Sequence, residues 1–214
     1  NLVDGDFRQK IFDYKPDLMI FSIVEDPFPK AIRLLDAITD LNIPHILGGI
    51  FPTAAPERCF DYPAVKMIGL GEGESIIVKV SEAVRKALPM NNIPGTWYRS
   101  TDGKIHKNEQ PQLVDINNDV ADFTLFDEKR FYRPMGGKIF KTIPVETYRG
   151  CPYLCTYCNS PSQLSFSKNN GLGNFLRRKT MGNLKLELRD LRDRYDPDFF
   201  LCVDDSFLAR PPKE

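Results

Sequence analysis

The chain has 214 residues, of which 42% are hydrophobic and 27% charged, a composition typical of a globular protein in water. Its 29 basic and 29 acidic residues cancel, which argues against a general binder of polyanions and predicts no nucleic-acid partner. The longest apolar runs, such as residues 18–24, fall short of the roughly 20 residues that a membrane helix needs. Since no basic-then-apolar leader stands out, we expect a cytoplasmic protein without a membrane span.

The two ends of the sequence predict a fragment of a longer protein. The sequence begins at Asn1 in a stretch that resembles the tail of a helix, and it stops just after an apolar strand. We therefore expect the first strand of the first domain, and most of the last domain, to be missing.

Residues 16–88 alternate between short apolar runs and amphipathic segments. The runs at 16–24, 43–49 and 64–71 are nearly continuous in apolar residues, which is typical of strands covered on both faces. Two other segments carry apolar residues at helical spacing, namely Ile32, Leu35, Ile38 and Leu41 in one, and Ile76, Ile77, Val80, Val84 and Leu88 in the other. This order predicts an α/β fold with a Rossmann-like, doubly wound parallel sheet.

The pattern changes after residue 88. Residues 93–109 predict a β-hairpin, because the turn signal "TDG" separates two short extended runs. Residues 107–140 are rich in Asp, Asn and Pro, which is typical of a connector on the surface. We therefore predict a first domain over residues 1–106, which includes the hairpin, and a connector over 107–140.

A second α/β domain is predicted over residues 141–214. It begins with the strand "TIPVETYRG" and continues with a helix whose apolar face holds Leu184, Leu188, Leu191 and Tyr195. The run "PDFFLCVDDSF" then predicts a buried strand that ends in Asp204 and Asp205. The polar stretch at 159–180 is expected to be a solvated charged loop, with the basic residues Lys168, Arg177, Arg178 and Lys179.

Three of the five cysteines, Cys151, Cys155 and Cys158, lie within eight residues. In a protein that is not exported, this spacing favours metal binding or redox chemistry over disulfides. A structural zinc site would need a fourth ligand, and a ferredoxin-type cluster would need a fourth cysteine. Three cysteines at C-x3-C-x2-C also fit a [4Fe-4S] cluster with one open iron. Cys202, inside "FFLCV", is expected to be a small buried hydrophobic residue.

The stretch "CPYLCTYC", directly after a strand, resembles the signature of the radical S-adenosylmethionine (SAM) superfamily. The resemblance implies that the chain continues into a partial (β/α) barrel, and that the three cysteines hold the cluster while SAM chelates the fourth iron. It also implies that one electron cleaves SAM to methionine and a 5′-deoxyadenosyl radical. By the same resemblance Tyr157 lies near the adenine, and Asp204 or Asp205 contacts the SAM amino group. The alternative for both aspartates is a helix cap or a solvated turn. The four basic residues at 168 and 177–179 could meet carboxylates of SAM or substrate, although a solvated charged loop is the favoured interpretation.

Glycines cluster where the second and third strands of the first domain end, in "LGGIFPT" (47–53) and "GLGEGE" (69–74). Such glycines allow a bulky ligand to approach the backbone, although they also serve plain turns. With the strands, the hairpin and the cysteines, these stretches resemble the cobalamin-binding subgroup of radical SAM proteins. The resemblance implies that the following residues line the corrin or its nucleotide tail: Ser22, Gly48, Gly49, Thr53, Gly71, Glu72 and Gly73.

The histidine that ligates cobalt in some cobalamin domains, within D-x-H-x-x-G, is not recognisable here. Ile43 stands where the aspartate is expected, and His45 falls within a predicted strand. We therefore interpret His45 as structural, and the cobalt ligand stays unassigned.

The expected function is that of a radical SAM enzyme with a [4Fe-4S] cluster, SAM and cobalamin, reduced by a donor such as flavodoxin or ferredoxin. The family implies methyl transfer to an unactivated carbon as one reaction, and ring formation or rearrangement as others. The small-molecule substrate is not specified by the sequence. Two alternatives stay open: a radical SAM enzyme whose first domain is an empty docking module, and a non-enzymatic iron–sulfur protein for electron transfer.

Overall fold

The computed structural model describes residues 4–118 and 120–208. These fall into two compact units, the first formed by Asn1–Val114 with Ser165–Gly173, and the second by Asp115–Leu164 with Asn174–Glu214. The predicted division into residues 1–106, 107–140 and 141–214 stays a prediction. The two ends of the chain, at 1–3 and 209–214, lie outside the described residues.

The first unit is built on a mixed sheet in the order β1-β2-β3-β4-β5. The first three strands are parallel, which confirms the predicted parallel sheet, and the last two are antiparallel. Strands β4 and β5 form the hairpin at the position where the sequence predicts one. The strands are β1 (Met19–Ser22), β2 (His45–Gly48), β3 (Met67–Gly69), β4 (Thr96–Arg99) and β5 (Ile105–Lys107).

Helices cover both faces of this sheet. They are α1 (Asp4–Tyr14), α2 (Phe28–Asp36), α3 (Ile50–Ala54), α4 (Pro56–Cys59) and α5 (Glu74–Arg85). Neighbouring residues of β2 point to opposite faces, so Leu47 packs into one core with α2, whereas Ile46 packs into the other with Ile76 and Val80 of α5. The apolar periodicity of the sequence therefore correctly predicted a helix on each face of the sheet, α2 on one and α5 on the other.

The second unit combines a three-stranded sheet, in the order β10-β7-β6, with a short two-stranded ladder of β8 and β9. Strand β10 is parallel to β7, and β6 is antiparallel to it. The strands are β6 (Tyr132–Met135), β7 (Lys138–Val145), β8 (Tyr148–Arg149), β9 (Arg177–Arg178) and β10 (Phe199–Cys202). Helix α7 (Met181–Tyr195) belongs to this unit, whereas α6 (Ser160–Asn169) is divided between the two units after Leu164. Among the described residues, only one parallel strand pair of the predicted barrel is found in this unit, so the barrel stays a prediction.

The polar stretch after the cysteines was wrongly expected to be a loop throughout, since α6 occupies its first half. Strand β6, within the predicted connector, also gave no signal, because its four residues are exposed and include Pro134. Cys202 was wrongly expected to be buried. It is exposed because it ends β10, the edge strand of its sheet. In the part of the chain that the structure describes, no helix has the length and apolar character to cross a membrane.

Candidate functional site

The cysteine loop (residues 151–158) follows β7 and β8 of the second unit. The parallel strands β7 and β10 end side by side, and Val203 N donates to Val145 O at 3.0 Å. Just beyond these ends, Asp204 Oδ1 accepts from Thr147 N at 2.6 Å and from Tyr148 N at 3.0 Å, and Oδ2 accepts from Thr147 Oγ1 at 2.6 Å. The start of the cysteine loop therefore lies at the carboxyl edge of the sheet, where barrel-type folds carry their ligands.

The last residues before the first cysteine are fixed by the ladder of β8 with β9. Gly150 then has a φ of +91°, and a Cβ there would lie 2.6 Å from Phe175 O. Only glycine fits a backbone that turns this way so close to a neighbouring carbonyl. The chain therefore makes a tight turn directly before Cys151.

All three loop cysteines are free thiols, with Cys151 and Cys155 half-buried and Cys158 exposed. Cys158 N donates to Cys155 O at 3.2 Å, and Cys158 Sγ accepts from Ser160 N at 3.4 Å. Among residues 4–118 and 120–208, no three Cys, His, Asp or Glu side chains are grouped closely enough to hold a metal ion. The set of donors nevertheless fits a cluster, because three accessible thiols on an irregular loop are soft ligands free to converge on iron.

The three residues predicted to contact SAM differ in how the structure holds them. Tyr157 is 90% exposed beside the cysteines, and its hydrogen bond with Cys155 raises the pKa of its phenol. Asp205 is exposed. The other predicted contact, Asp204, already directs both carboxylate oxygens at Thr147 and Tyr148.

Lys179, expected in a solvated loop, is in fact buried in an ion pair with Glu187 of α7, at 2.5 Å. The two side chains are only 7% and 4% exposed. Sequence reasoning missed this pair, although Glu187 lies on the same helix face as Leu184 and Leu191, which was a usable signal. Lys179 N also donates to Thr147 O at 3.0 Å, so the pair stands next to the start of the cysteine loop.

In the first unit, the predicted cobalamin residues follow the carboxyl ends of three parallel strands. Ser22 ends β1 opposite Gly48, which ends β2. Thr53 joins the loops after β2 and β3, because its Oγ1 donates to Gly49 O at 2.9 Å and accepts from Gly71 N at 3.0 Å. We call residues 48–53 and 69–73 the glycine edge; open α/β sheets bind ligands at such edges.

The glycines of this edge are not equivalent. Gly49 has a φ of +99°, and a Cβ there would lie 2.7 Å from Ile23 N. At Gly48 the nearest atoms would be 3.9 Å away, which is an ordinary contact. Gly71 has a φ of +76° and approaches the ring of Phe166, to which a Cβ would come within 3.2 Å. Gly49 and Gly71 are thus required by the backbone, whereas Gly48 is not.

The remaining two residues of the predicted set lie at the start of α5. Glu72 Oε2 accepts from Val114 N at 2.9 Å, and Gly73 is the N-cap of the helix. Glu72 therefore ties a distant segment to the glycine edge. The structure brings the seven residues to one edge of the sheet, and their contacts with cobalamin stay a prediction.

His45 lies at the start of β2, at the opposite end of the strand from the glycine edge. Its Nδ1 lies 3.2 Å from Ile43 O and its Nε2 lies 3.0 Å from Ala64 O. Burial lowers the pKa of this imidazole and outweighs the two carbonyls, which raise it. These contacts support the structural role inferred from the sequence.

No protein-family model matches the chain. Among curated proteins, it is 28% identical over 214 residues to the anaerobic magnesium-protoporphyrin IX monomethyl ester cyclase of Rubrivivax gelatinosus. This alignment covers 96% of this chain and 36% of the cyclase. It is 24% identical over 239 residues to the cytidylyl-2-hydroxyethylphosphonate methyltransferase of Streptomyces wedmorensis. That alignment covers 96% of this chain and 42% of the methyltransferase. The chain thus spans well under half the length of these relatives.

Two solved enzymes share its fold. The radical SAM methyltransferase TsrM from Kitasatospora setae, with tryptophan and a SAM analogue bound, superposes with a TM-score of 0.66 at 17% identity, over 95% of this chain and 40% of that one. The cobalamin-dependent radical SAM enzyme OxsB, with aqua-cobalamin and SAM bound, gives 0.63 at 18% identity, over 99% and 28%. TsrM has also been solved with cobalamin and a [4Fe-4S] cluster.

These comparisons confirm the resemblance read from the motifs. The curated relatives are enzymes, a cyclase and a methyltransferase among them. The structural neighbours are radical SAM enzymes: TsrM has been solved with a SAM analogue, cobalamin and a [4Fe-4S] cluster, and OxsB with cobalamin and SAM.

Proposed function

We propose that this chain is part of a radical SAM enzyme that binds a [4Fe-4S] cluster through Cys151, Cys155 and Cys158 and cobalamin through its first unit. The observation that carries the proposal is the cysteine loop itself. Three free thiols lie at the carboxyl edge of a parallel strand pair, behind a glycine turn. With three protein ligands a [4Fe-4S] cluster keeps one iron open for another molecule.

When bound and reduced, the cluster would supply the electron that cleaves SAM to methionine and a 5′-deoxyadenosyl radical. The protein's part is to hold the three thiolates and to orient SAM. The exposed phenol of Tyr157 is available to contact the adenine, and the exposed carboxylate of Asp205 to contact the amino group.

The glycine edge is proposed to bind cobalamin. Ser22, Gly71 and Gly73 are exposed there, so backbone and small side chains can meet a flat, bulky ligand at close range. The hydrogen bonds of Thr53 keep the two glycine loops in register without a ligand. A preformed edge of this kind supports a binding site and argues against the empty docking module.

Methyl transfer to an unactivated carbon is the proposed reaction, supported by the methyltransferases among the relatives and neighbours. Ring formation is the second candidate, favoured by the cyclase of R. gelatinosus. The substrate is proposed to be a small organic molecule, with reducing equivalents from a flavodoxin or ferredoxin. A cytoplasmic location stays a prediction.

The test is anaerobic reconstitution of the chain with iron and sulfide, followed by reduction and electron paramagnetic resonance (EPR) with and without SAM. We expect a [4Fe-4S] signal that changes when SAM is added. A signal indifferent to SAM would support the electron-transfer protein instead.

Cobalamin binding is tested separately, because the two cofactors are assigned to different units. Titration of the chain with hydroxocobalamin should change the absorbance of the corrin and saturate at one per chain. If the cluster forms but the corrin spectrum stays that of free cobalamin, the first unit is the empty docking module.

A further inference from the structure

The carboxylate of Asp204 holds the backbone that leads into the cysteine loop. Its two oxygens accept hydrogen bonds from Thr147 N, Thr147 Oγ1 and Tyr148 N. These residues lie 57 and 56 positions away in the sequence, so the bonds join two segments that only the folded sheet brings together. Hydrogen bonds to a charged acceptor are shorter and stronger than neutral ones.

Thr147 is fixed on its other side as well. Its carbonyl accepts from Lys179 N at 3.0 Å, and Lys179 is anchored by its buried ion pair with Glu187. Thr147 and Tyr148 are themselves only 5% and 7% exposed. Thr147, four residues before Cys151, is therefore held between Asp204 and Lys179. We call the hydrogen bonds of Asp204 to Thr147 and Tyr148 the grip.

Three residues, 148–150, connect Thr147 to the first cysteine. Tyr148 and Arg149 pair with β9, and Gly150 makes the turn against Phe175. The residues between Thr147 and Cys151 are thus each in contact with neighbouring backbone.

We propose that Asp204 is a positioning residue for the cysteine loop and that it does not bind the SAM amino group. Hydrogen bonds from Thr147 and Tyr148 already occupy three of the roughly four acceptor positions of this carboxylate, so little of it is left for an ammonium group. Its neighbour Asp205 is exposed and has the same charge, so it serves as a matched control. The role in cluster assembly rests on the proposed function, whereas the grip on Thr147 and Tyr148 does not.

The first measurement is hydrogen–deuterium exchange of the peptide containing Thr147 and Tyr148, in the chain without cluster. Asp204→Ala removes all three acceptor contacts, and we expect these amides to exchange roughly tenfold faster or more. Asp205→Ala should leave their exchange unchanged. Unchanged exchange in Asp204→Ala would overturn the proposal. Should Asp204→Ala not fold, the pair Thr147→Val and Thr147→Ser replaces it: the valine must speed the exchange and the serine must not.

The second measurement is the iron content and EPR signal after reconstitution. Asp204→Ala should lose most of its cluster. Asp204→Asn keeps an oxygen for the two amides and a donor for Thr147 Oγ1, so it should hold the cluster and still respond to SAM. If Asp204→Asn holds the cluster but its spectrum no longer responds to SAM, Asp204 is a SAM ligand and the proposal fails. If the unmodified chain takes up no cluster, the proposed function fails, and the exchange experiment still decides the grip.

Discussion

At the glycine edge of the first unit and at the start of the cysteine loop in the second, a side chain joins segments that lie far apart in the sequence. At the glycine edge this is the hydroxyl of Thr53, which bonds to Gly71 across 18 residues. At the cysteine loop it is the carboxylate of Asp204, which bonds to Thr147 across 57 residues. Both lie at the carboxyl ends of parallel strands.

The two side chains differ in the hydrogen bonds that they can make and in the surface that remains for a ligand. A hydroxyl both donates and accepts, so Thr53 satisfies a carbonyl on one loop and an amide on the other and adds no charge. The resulting surface is mostly backbone and glycine, which suits a large flat ligand. A carboxylate only accepts, so Asp204 takes hydrogen bonds from the amides of Thr147 and Tyr148 and from the hydroxyl of Thr147. The first region depends on backbone shape, and the second on side chains.

The largest effect, on cluster content, is expected from replacing the thiols of the cysteine loop. If the cluster formed without them, the contrast between a backbone-shaped first site and a second site made by side chains would fail. Replacing Cys151, Cys155 or Cys158 by serine should abolish the cluster, because each is proposed to supply one of its three protein ligands. Cys202→Ser is the control, since Cys202 is exposed and outside the loop. Iron and acid-labile sulfide report the result, and a loop variant with full cluster content would refute the assignment of that cysteine.

The next effect should come from the backbone of the glycine edge. Gly49→Ala places a Cβ 2.7 Å from Ile23 N and 2.8 Å from Ile23 O at a φ of +99°. We expect it to lower the free energy of unfolding by about 3 kcal/mol. Gly48→Ala should change it by less than about 0.5 kcal/mol, because its Cβ meets nothing closer than 3.9 Å.

Urea denaturation followed by circular dichroism measures both glycine variants. Equal losses would show that the glycine edge is not determined by backbone shape. Since Gly48→Ala is expected to fold normally, weaker cobalamin binding by that variant would report ligand contact directly.

A smaller effect is expected from the hydroxyl that joins the two glycine loops. Thr53→Val keeps the shape but leaves Gly71 N and Gly49 O without this partner, which should cost about 1–2 kcal/mol of unfolding free energy. Thr53→Ser keeps the hydroxyl and should retain most of the stability. A valine variant as stable and as tight for cobalamin as the serine variant would contradict the role of Thr53.

The smallest effect concerns pH. Because burial lowers the pKa of His45, the unfolded chain binds a proton that the folded chain does not, at pH values between the lowered pKa and the usual one. Stability should therefore rise as the pH increases towards about 6.5, with a slope from this residue of no more than about 1.4 kcal/mol per pH unit. His45→Gln should flatten this slope, and an unchanged slope would show that another group causes it.

Much of the fold could be predicted because it depends on local pattern. Apolar runs identified β1, β2, β3 and β10, and helical spacing identified α5 and α7. Helix α6 escaped because "SPSQLSFSKN" has no clear apolar face, and its helical hydrogen bonds are not visible in composition. The buried pair of Lys179 and Glu187 escaped because an isolated charge in a polar stretch is usually solvated.

The sequence by itself determined which functional groups are present. These are three thiols at fixed spacing directly after a strand, glycines at the ends of two strands of the first unit, and two adjacent aspartates after the last strand. Only the tertiary structure decided that Asp204 grips Thr147 while Asp205 is exposed, and that Gly49 is indispensable while Gly48 is not. Adjacent identical residues look alike in a sequence. They differ in the fold because the register of parallel strands and the sign of φ set which one meets a neighbour, and both are fixed by contacts between distant segments.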